Sequence, residues 1–195
     1  LVSDAGTPGI CDPGEVVIKA CIEDGISVVP IPGACAMING LIASGMDTKE
    51  FVFLGFLPLH KKLRKEKLVE IEKSNKTVIL YEAPHKLKAT LEDLEPILGN
   101  RQVVLAREIT KIHEEYIRGT IEELLDKIEG LKGEMILVIE KGEIKSEDIL
   151  FKDLSLEEHY QIYEKQGLEK KEIIKKIAKD RKVNKNEIYQ HFMGK

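Results

Sequence analysis

No stretch of this chain is apolar for long enough to cross a bilayer: the longest run, from Phe51 to Leu59, is broken by Gly55 and Pro58, and a spanning helix needs about 20 such residues. No signal peptide is visible, so no membrane partner is expected and a cytoplasmic location is. Cysteine is scarce and odd in number. Cys11, Cys21 and Cys35 form no CxxC pair and have no matching histidine spacing, so buried free thiols are expected rather than disulfides or a metal site. The chain also lacks the GxGxxG fingerprint and the GxxxxGK[ST] phosphate loop, which argues against nicotinamide and ATP chemistry. No internal repeat or low-complexity tract appears, and the first residue is Leu1 rather than Met. That start falls in what reads as the middle of a strand–loop–helix unit, so preceding residues are expected.

What is present suits a globular protein. The 195 residues are 43% hydrophobic and 33% charged, enough apolar material for one large domain or two small ones. The net charge of −4 conceals a gradient. Residues 1–58 carry seven acidic and two basic side chains, residues 59–141 balance at sixteen of each, and residues 165–195 carry ten basic against four acidic. The basic end hints at a polyanionic partner, although lysine-rich helices are commonly just solvated faces.

Along the chain, Leu1 to Gly14 reads as a strand, a loop stiffened by Pro8 and Pro13, and the start of a helix near Pro13 capped by Asp12. Residues 14–24 predict that helix, with Val16, Val17, Ala20 and Cys21 on its apolar face and Gly25 at its end. Ile26 to Val29 predicts a short buried strand running into a second rigid loop, residues 30–34, and an apolar helix to Ala43. Two strand–loop–helix units in succession indicate a parallel sheet with its loops gathered at the strands' carboxyl ends, so loops 4–14 and 30–34 should lie side by side. The pattern breaks at 44–50. Beyond it come a strand Phe51–Phe56, a charged helix from about Lys61 to Lys73, a strand Thr77–Tyr81, and a helix with Leu87, Leu91, Leu94 and Ile97 in register. A strand Gln102–Ala106, a partner at His113–Ile117, a helix Ile121–Ile128 and a closing strand Glu134–Glu140 complete a mixed α/β layer. The expected organisation is therefore 1–47, the remainder of a first α/β domain; 48–141, a second; 142–153, an acidic linker; and 154–195, a helical module. In that module Ser155 with Glu158, and Asn184 with Glu187, are capping-box signatures. Gly167 breaks one helix from the next, Ile173, Ile174, Ile177 and Ala178 form a stripe, and the last two helices have helix-turn-helix spacing.

Three places could carry chemistry. Backbone groups of the two Gly/Pro loops can hold a nucleoside-like ligand at little entropic cost. Tyr81-Glu82-Ala83-Pro84-His85 ends a strand in a proline-ordered turn; Glu82 and His85 could move protons, or Glu82 could simply cap a helix and His85 lie in solvent. In the charged segment 107–115, Arg107 and Lys111 could meet phosphate and Glu108 a sugar hydroxyl, or the segment could be an ordinary polar loop.

Taken together, Ser3-Asp4-Ala5-Gly6-Thr7-Pro8-Gly9, Pro30-Ile31-Pro32-Gly33-Ala34, Phe53-Leu54-Gly55-Phe56-Leu57-Pro58, Tyr81-Glu82-Ala83-Pro84-His85 and Arg107-Glu108-Ile109-Thr110-Lys111 resemble, in order and spacing, the small-subunit (16S) ribosomal RNA cytidine 2′-O-methyltransferases, a branch of the tetrapyrrole methylase superfamily. The resemblance implies a two-domain α/β fold, here lacking the start of its first domain. It also implies S-adenosyl-L-methionine bound between the domains, a homodimer, and 16S ribosomal RNA or the small ribosomal subunit as partner. Asp4, Ala5, Gly6, Thr7 and Pro8 would form the first cofactor loop, with Thr7 where the superfamily usually has aspartate. Pro32, Gly33 and Ala34 would form the second, and Tyr81, Glu82, Ala83 and Pro84 would meet the cofactor from the other domain. For the reaction, Glu108 or Glu82 would orient or receive the 2′-hydroxyl proton and Arg107 and Lys111 would hold the flanking phosphates. A tetrapyrrole or other small-molecule methylase, and a non-catalytic RNA-binding module, are the competing readings.

Overall fold

The computed structural model describes residues 1–142, 154–165, 167–181 and 183–193, in two compact units, Leu1–Gly142 and Glu143–Lys195. Apolar, β-branched segments make the sheet of the first unit: β1 (Phe51–Phe56), β2 (Thr77–Glu82), β3 (Val103–Arg107), β4 (Glu115–Gly119) and β5 (Met135–Ile139). Their order is β1-β2-β5-β3-β4. β1 and β2 are parallel, while β5 runs antiparallel to both β2 and β3. The last strand in sequence therefore lies in the middle of the sheet. The carboxyl ends of β1, β2 and β3 share one end of the sheet, the arrangement in which α/β proteins collect ligand loops.

Side chains alternate across the strands. Val78, Leu80, Val103, Leu105, Leu137 and Ile139 face one way and pack on α3 (Lys61–Lys73), α4 (Pro84–Leu98) and α5 (Ile121–Leu125) through Ile71, Leu87, Leu91, Leu94 and Leu124. α4 begins with Pro84 in its first turn, where a missing N–H costs nothing. Ile79, Val104, Ala106, Ile136 and Val138 face the other way, onto Leu41 of α2 (Ala36–Ser44). α2 thus shares a core with the sheet, and residues 1–47 and 48–141 fall within one compact unit.

The first 35 residues depart from expectation. Neither Leu1-Val2 nor Ile26–Val29 is a strand, because a ladder needs a neighbouring backbone and no described strand runs beside them. The helix α1 (Glu15–Glu23) starts after Gly14, whose φ is +155°, and Asp12 does not cap it. It buries none of its residues; Val16 is 81% exposed and Val17 56%. The three cysteines are free, as expected, but not buried: Cys11 is exposed and Cys21 and Cys35 half-buried.

The second unit contains α6 (Leu156–Lys165), α7 (Lys170–Asp180) and α8 (Lys185–Met193). Ser155 and Glu158 form the expected capping box, with Ser155 N–H donating to Glu158 Oε2 at 2.7 Å and Glu158 N–H to Ser155 Oγ at 3.1 Å. Asn184 caps α8 through Asn186 N–H at 2.9 Å, and among the described residues Glu187 does not reciprocate. Gly167, at φ +80°, ends α6, and Ile173, Ile174, Ile177 and Ala178 bury against Tyr163 and Ile188. The expected linker lies outside the described residues except for Gly142. No described helix is long and apolar enough to cross a membrane.

Candidate functional site

Alternation along β2 puts Tyr81 and Glu82 on opposite faces. Tyr81 faces α2, its hydroxyl accepting a hydrogen bond from Met37 N–H at 3.2 Å in the first turn of that helix. Phe53 and Phe56 meet its ring edge-on, with centroids 4.8 and 5.8 Å away. Burial in this apolar corner raises the phenol's pKa, and the nearby Cys35, Cys11 and Asp12 push it the same way.

The two Gly/Pro loops come to the same corner. Thr7 N–H donates to Ala34 O at 2.8 Å. Gly6 makes that approach possible: at its φ of +66° a Cβ would stand 2.7 Å from Ala34 O. A Cβ on Gly33 would lie 3.3 Å from Thr7 Oγ1, and one on Gly55 in β1 would lie 3.1 Å from Cys11 Sγ. The loops thus lie side by side, as their sequence predicted, although the parallel strands expected to carry them are absent. Asp4, Ala5, Gly6, Pro32, Gly33 and Ala34 are exposed, and Thr7 and Pro8 half-buried.

Glu82 occupies a different environment. It is 4% exposed, its Oε1 accepts from Ala83 N–H at 2.8 Å and its Oε2 accepts from Thr90 Oγ1 at 2.5 Å. Arg64 completes the network, donating to Thr90 Oγ1 at 3.0 Å and to Asp93 Oδ2 at 2.6 Å. Of the two roles read for Glu82, this geometry matches the structural one, with both carboxylate oxygens bound to donors of the fold. The carboxylate points into the α4 side of the sheet, away from Tyr81, and is occupied with the Ala83 amide and the Thr90 hydroxyl. Ala83 is half-buried and Pro84 and His85 are exposed.

Glu82, Met135 and Arg107 are paired across β2, β5 and β3, so the segment after Arg107 emerges at the same sheet end as the turn after Glu82. Its charged side chains already have partners within the protein. Arg107 Nε donates to Glu115 Oε2 at 2.7 Å, and Glu108, at φ +52°, accepts at Oε1 from Lys111 Nζ at 3.1 Å and Glu134 N–H at 3.2 Å. The hydrogen bond from Lys111 holds the Glu108 carboxyl below the usual carboxylate range and raises the Lys111 ammonium. Gly133 provides the space that the Glu108 carboxylate fills. Arg107 is mostly buried by its partners, whereas Lys111 is half exposed. The partners Glu115 and Glu134, the Met37 amide and Thr90 were not identified from sequence; Gly55, also missed, carries a readable signal of close backbone approach as a glycine inside an apolar strand.

A five-stranded mixed sheet with loops gathered at one end is the frame of a methylase fold seen in solved structures. CobJ, a methyltransferase, aligns with a TM-score of 0.57 at 15% identity over 70% of this chain and 62% of its own. Uroporphyrin-III-C-methyltransferase from Thermus thermophilus aligns with a TM-score of 0.51 at 21% identity over 70% of this chain and 61% of its own. The family model for tetrapyrrole (corrin/porphyrin) methylases matches residues 1–125. Among curated proteins, the ribosomal RNA small subunit methyltransferase I of Halalkalibacterium halodurans is 47% identical over 97% of this chain and 67% of its own length. Those of Bacillus subtilis and a Synechocystis species are 44% and 42% identical, covering 98% and 97% of this chain and 68% and 69% of theirs. The chain belongs to the tetrapyrrole methylase family of methyltransferases, and within it to the group of ribosomal RNA small subunit methyltransferase I proteins. It spans about two thirds of the length of those curated relatives.

Proposed function

We propose that the protein methylates the 2′-hydroxyl of a cytidine in 16S ribosomal RNA, using S-adenosyl-L-methionine and acting as a cytoplasmic homodimer. The observation that carries this reading is 42–47% identity, sustained over nearly the whole chain, to proteins named ribosomal RNA small subunit methyltransferase I. The sugar hydroxyl and the base come from the motif resemblance. Methyltransferase relatives across the whole chain leave a non-catalytic module and a tetrapyrrole substrate without comparable support.

The corner around Tyr81 fits the donor. Gly6, Pro32 and Gly33 present backbone groups outside any helix or strand, and the Tyr81, Phe53 and Phe56 rings offer an apolar wall whose π faces attract a cation. When bound, S-adenosyl-L-methionine supplies an electrophilic methyl group. The chain's own contribution is placement, since aligning reactants in a fixed geometry can supply much of the acceleration of a displacement. Lys111 keeps Glu108 ionised, so this carboxylate suits orienting the ribose hydroxyl better than removing its proton outright. Lys111, half exposed, and Arg107 stand beside it for the flanking phosphates.

The test is incubation of the full-length protein with methyl-labelled cofactor and small subunits, free 16S RNA or uroporphyrinogen. Label recovered as 2′-O-methylcytidine supports the reading, and label in the macrocycle alone overturns it. In the same assay Glu108→Gln should lower turnover by about a hundredfold, in the range of a lost acid–base or orienting group; unchanged turnover removes Glu108 from the mechanism.

A further inference from the structure

The second unit carries a charge pattern that its own folding does not need. On α7, Ile173, Ile174, Ile177 and Ala178 supply the buried face. Lys171, Lys175 and Lys179 are exposed and follow one another at four-residue spacing, each about 6 Å further along the axis. Like charges at this spacing disfavour an isolated helix. Some helical lysines elsewhere are offset: Lys67 lies 2.8 Å from Glu70 and Lys88 lies 4.0 Å from Glu92. Among the described residues no carboxylate stands within ion-pair distance of Lys171, Lys175 or Lys179. Of the helix's own carboxylates, Glu172 is exposed but, among the described residues, makes no ion pair with the three lysines, and Asp180 is turned inward, where it accepts from the Tyr163 hydroxyl at 2.6 Å and lies 3.4 Å from His159 Nε2. Arg181 is likewise committed to the fold, donating to the carbonyls of Leu154 and Ser155. The result is an uncompensated cationic ridge on a protein whose net charge is −4. On the next helix, α8, Tyr189 is 48% exposed among exposed Lys185, Asn186 and Gln190.

We propose that this ridge, Lys171, Lys175 and Lys179, docks the phosphate backbone of RNA, with Tyr189 available to stack on an unpaired base. Regularly spaced cations release counterions from a polyanion whatever its sequence, and an exposed aromatic among polar donors is how single-stranded bases are commonly held. The helix tolerates its own lysine repulsion because the partner's charge relieves it. The inference rests on the reading that the substrate is ribosomal RNA, and it gives the second unit the task of holding that substrate rather than reacting with it.

The test is filter binding of 16S ribosomal RNA to the full chain across a salt series, without cofactor. Replacing all three lysines by glutamine should weaken binding at low salt at least tenfold and make the slope of log affinity against log salt shallower by about two, near the 0.7–0.9 expected per lost phosphate contact. The three-arginine variant should bind as the parent does. Lys175→Glu alone, which leaves the isoleucine core untouched, should also weaken binding, so the inference survives a triple variant that misfolds by circular dichroism. Unchanged affinity and slope in Lys175→Glu would overturn it. So would a glutamine variant that binds naked RNA normally yet fails on assembled subunits, since the ridge would then meet a protein. Parent protein that binds RNA through the ridge but transfers no methyl group would instead sink the proposed function and leave the ridge standing.

Discussion

Adjacent residues of one strand are given separate tasks by the two-residue period of the sheet. Tyr81 reaches the first turn of α2 through Met37 N–H, while Glu82 turns to Thr90 on α4. The carboxylate is almost wholly buried, and a buried acceptor that loses its donor costs about 1–3 kcal/mol. Thr90→Val, which keeps the shape and removes the hydroxyl, should therefore destabilise the first unit by about 2 kcal/mol in urea unfolding. Methyl transfer measured well below the melting temperature should be nearly unaffected. Glu82→Gln should behave similarly; a folded Glu82→Gln protein with turnover down a hundredfold would return Glu82 to the reaction. Sequence alone names both a catalytic and a capping role for Glu82. The choice between them depends on the neighbour eight residues along, Thr90, which no local pattern marks as a partner.

At the scale of elements, β1 contains a small irregularity with a large consequence. Its pairing with β2 shifts register between Phe53 and Gly55, and Gly55 sits at φ +63° with Cys11 Sγ close by. A side chain there faces both a left-handed backbone and the 4–14 loop. Gly55→Ala should cost about 1–2 kcal/mol, read by urea denaturation, and should weaken S-adenosyl-L-methionine binding to the full-length protein in calorimetry; a fully stable variant would show the bend to be unnecessary. The strands and helices between Phe51 and Ile139 were legible because apolar runs alternate with proline, glycine and charge at the lengths such elements need. The strand order was not, since β5 enters between β2 and β3 and pairing partners leave no trace in periodicity. Ile26–Val29 illustrates the opposite failure: its apolar, β-branched composition suits a strand, but a strand forms only where a neighbouring backbone pairs with it. For the site, the proximity of the two Gly/Pro loops was readable from their glycines and prolines. The ion pairs that occupy Arg107, Glu108 and Lys111 were not, because Glu134 and Glu115 reach them from other elements.

For the whole molecule, the two units respond to acid through different groups. In the first, Asp47 and Glu108 are held below their ordinary range by hydrogen bonds from Lys141 and Lys111. A depressed carboxylate stabilises the fold above its unfolded pKa, near 4, and that contribution is lost only as pH falls further. In the second, His159 is buried between Asp180 and Arg181. Burial, reinforced by Arg181 and opposed by Asp180, lowers its pKa below the ordinary 6.5. The folded state then resists a proton that the unfolded state accepts, so stability is full above about pH 6.5 and falls as the solution is acidified, by at most about 1.4 kcal/mol per pH unit. Between pH 7.5 and 5.5, amide exchange at Ile173 and Ile177 should therefore accelerate, while exchange at Val104 and Val138 in the sheet stays flat against the same intrinsic-rate correction. His191, which lies 2.6 Å from Glu157, also belongs to the second unit, so the measurement is made in the His191→Gln background to isolate His159. Replacing His159 by asparagine should lower stability yet abolish its slope with pH; a slope that persists would place the acid-sensitive group elsewhere in the helical unit.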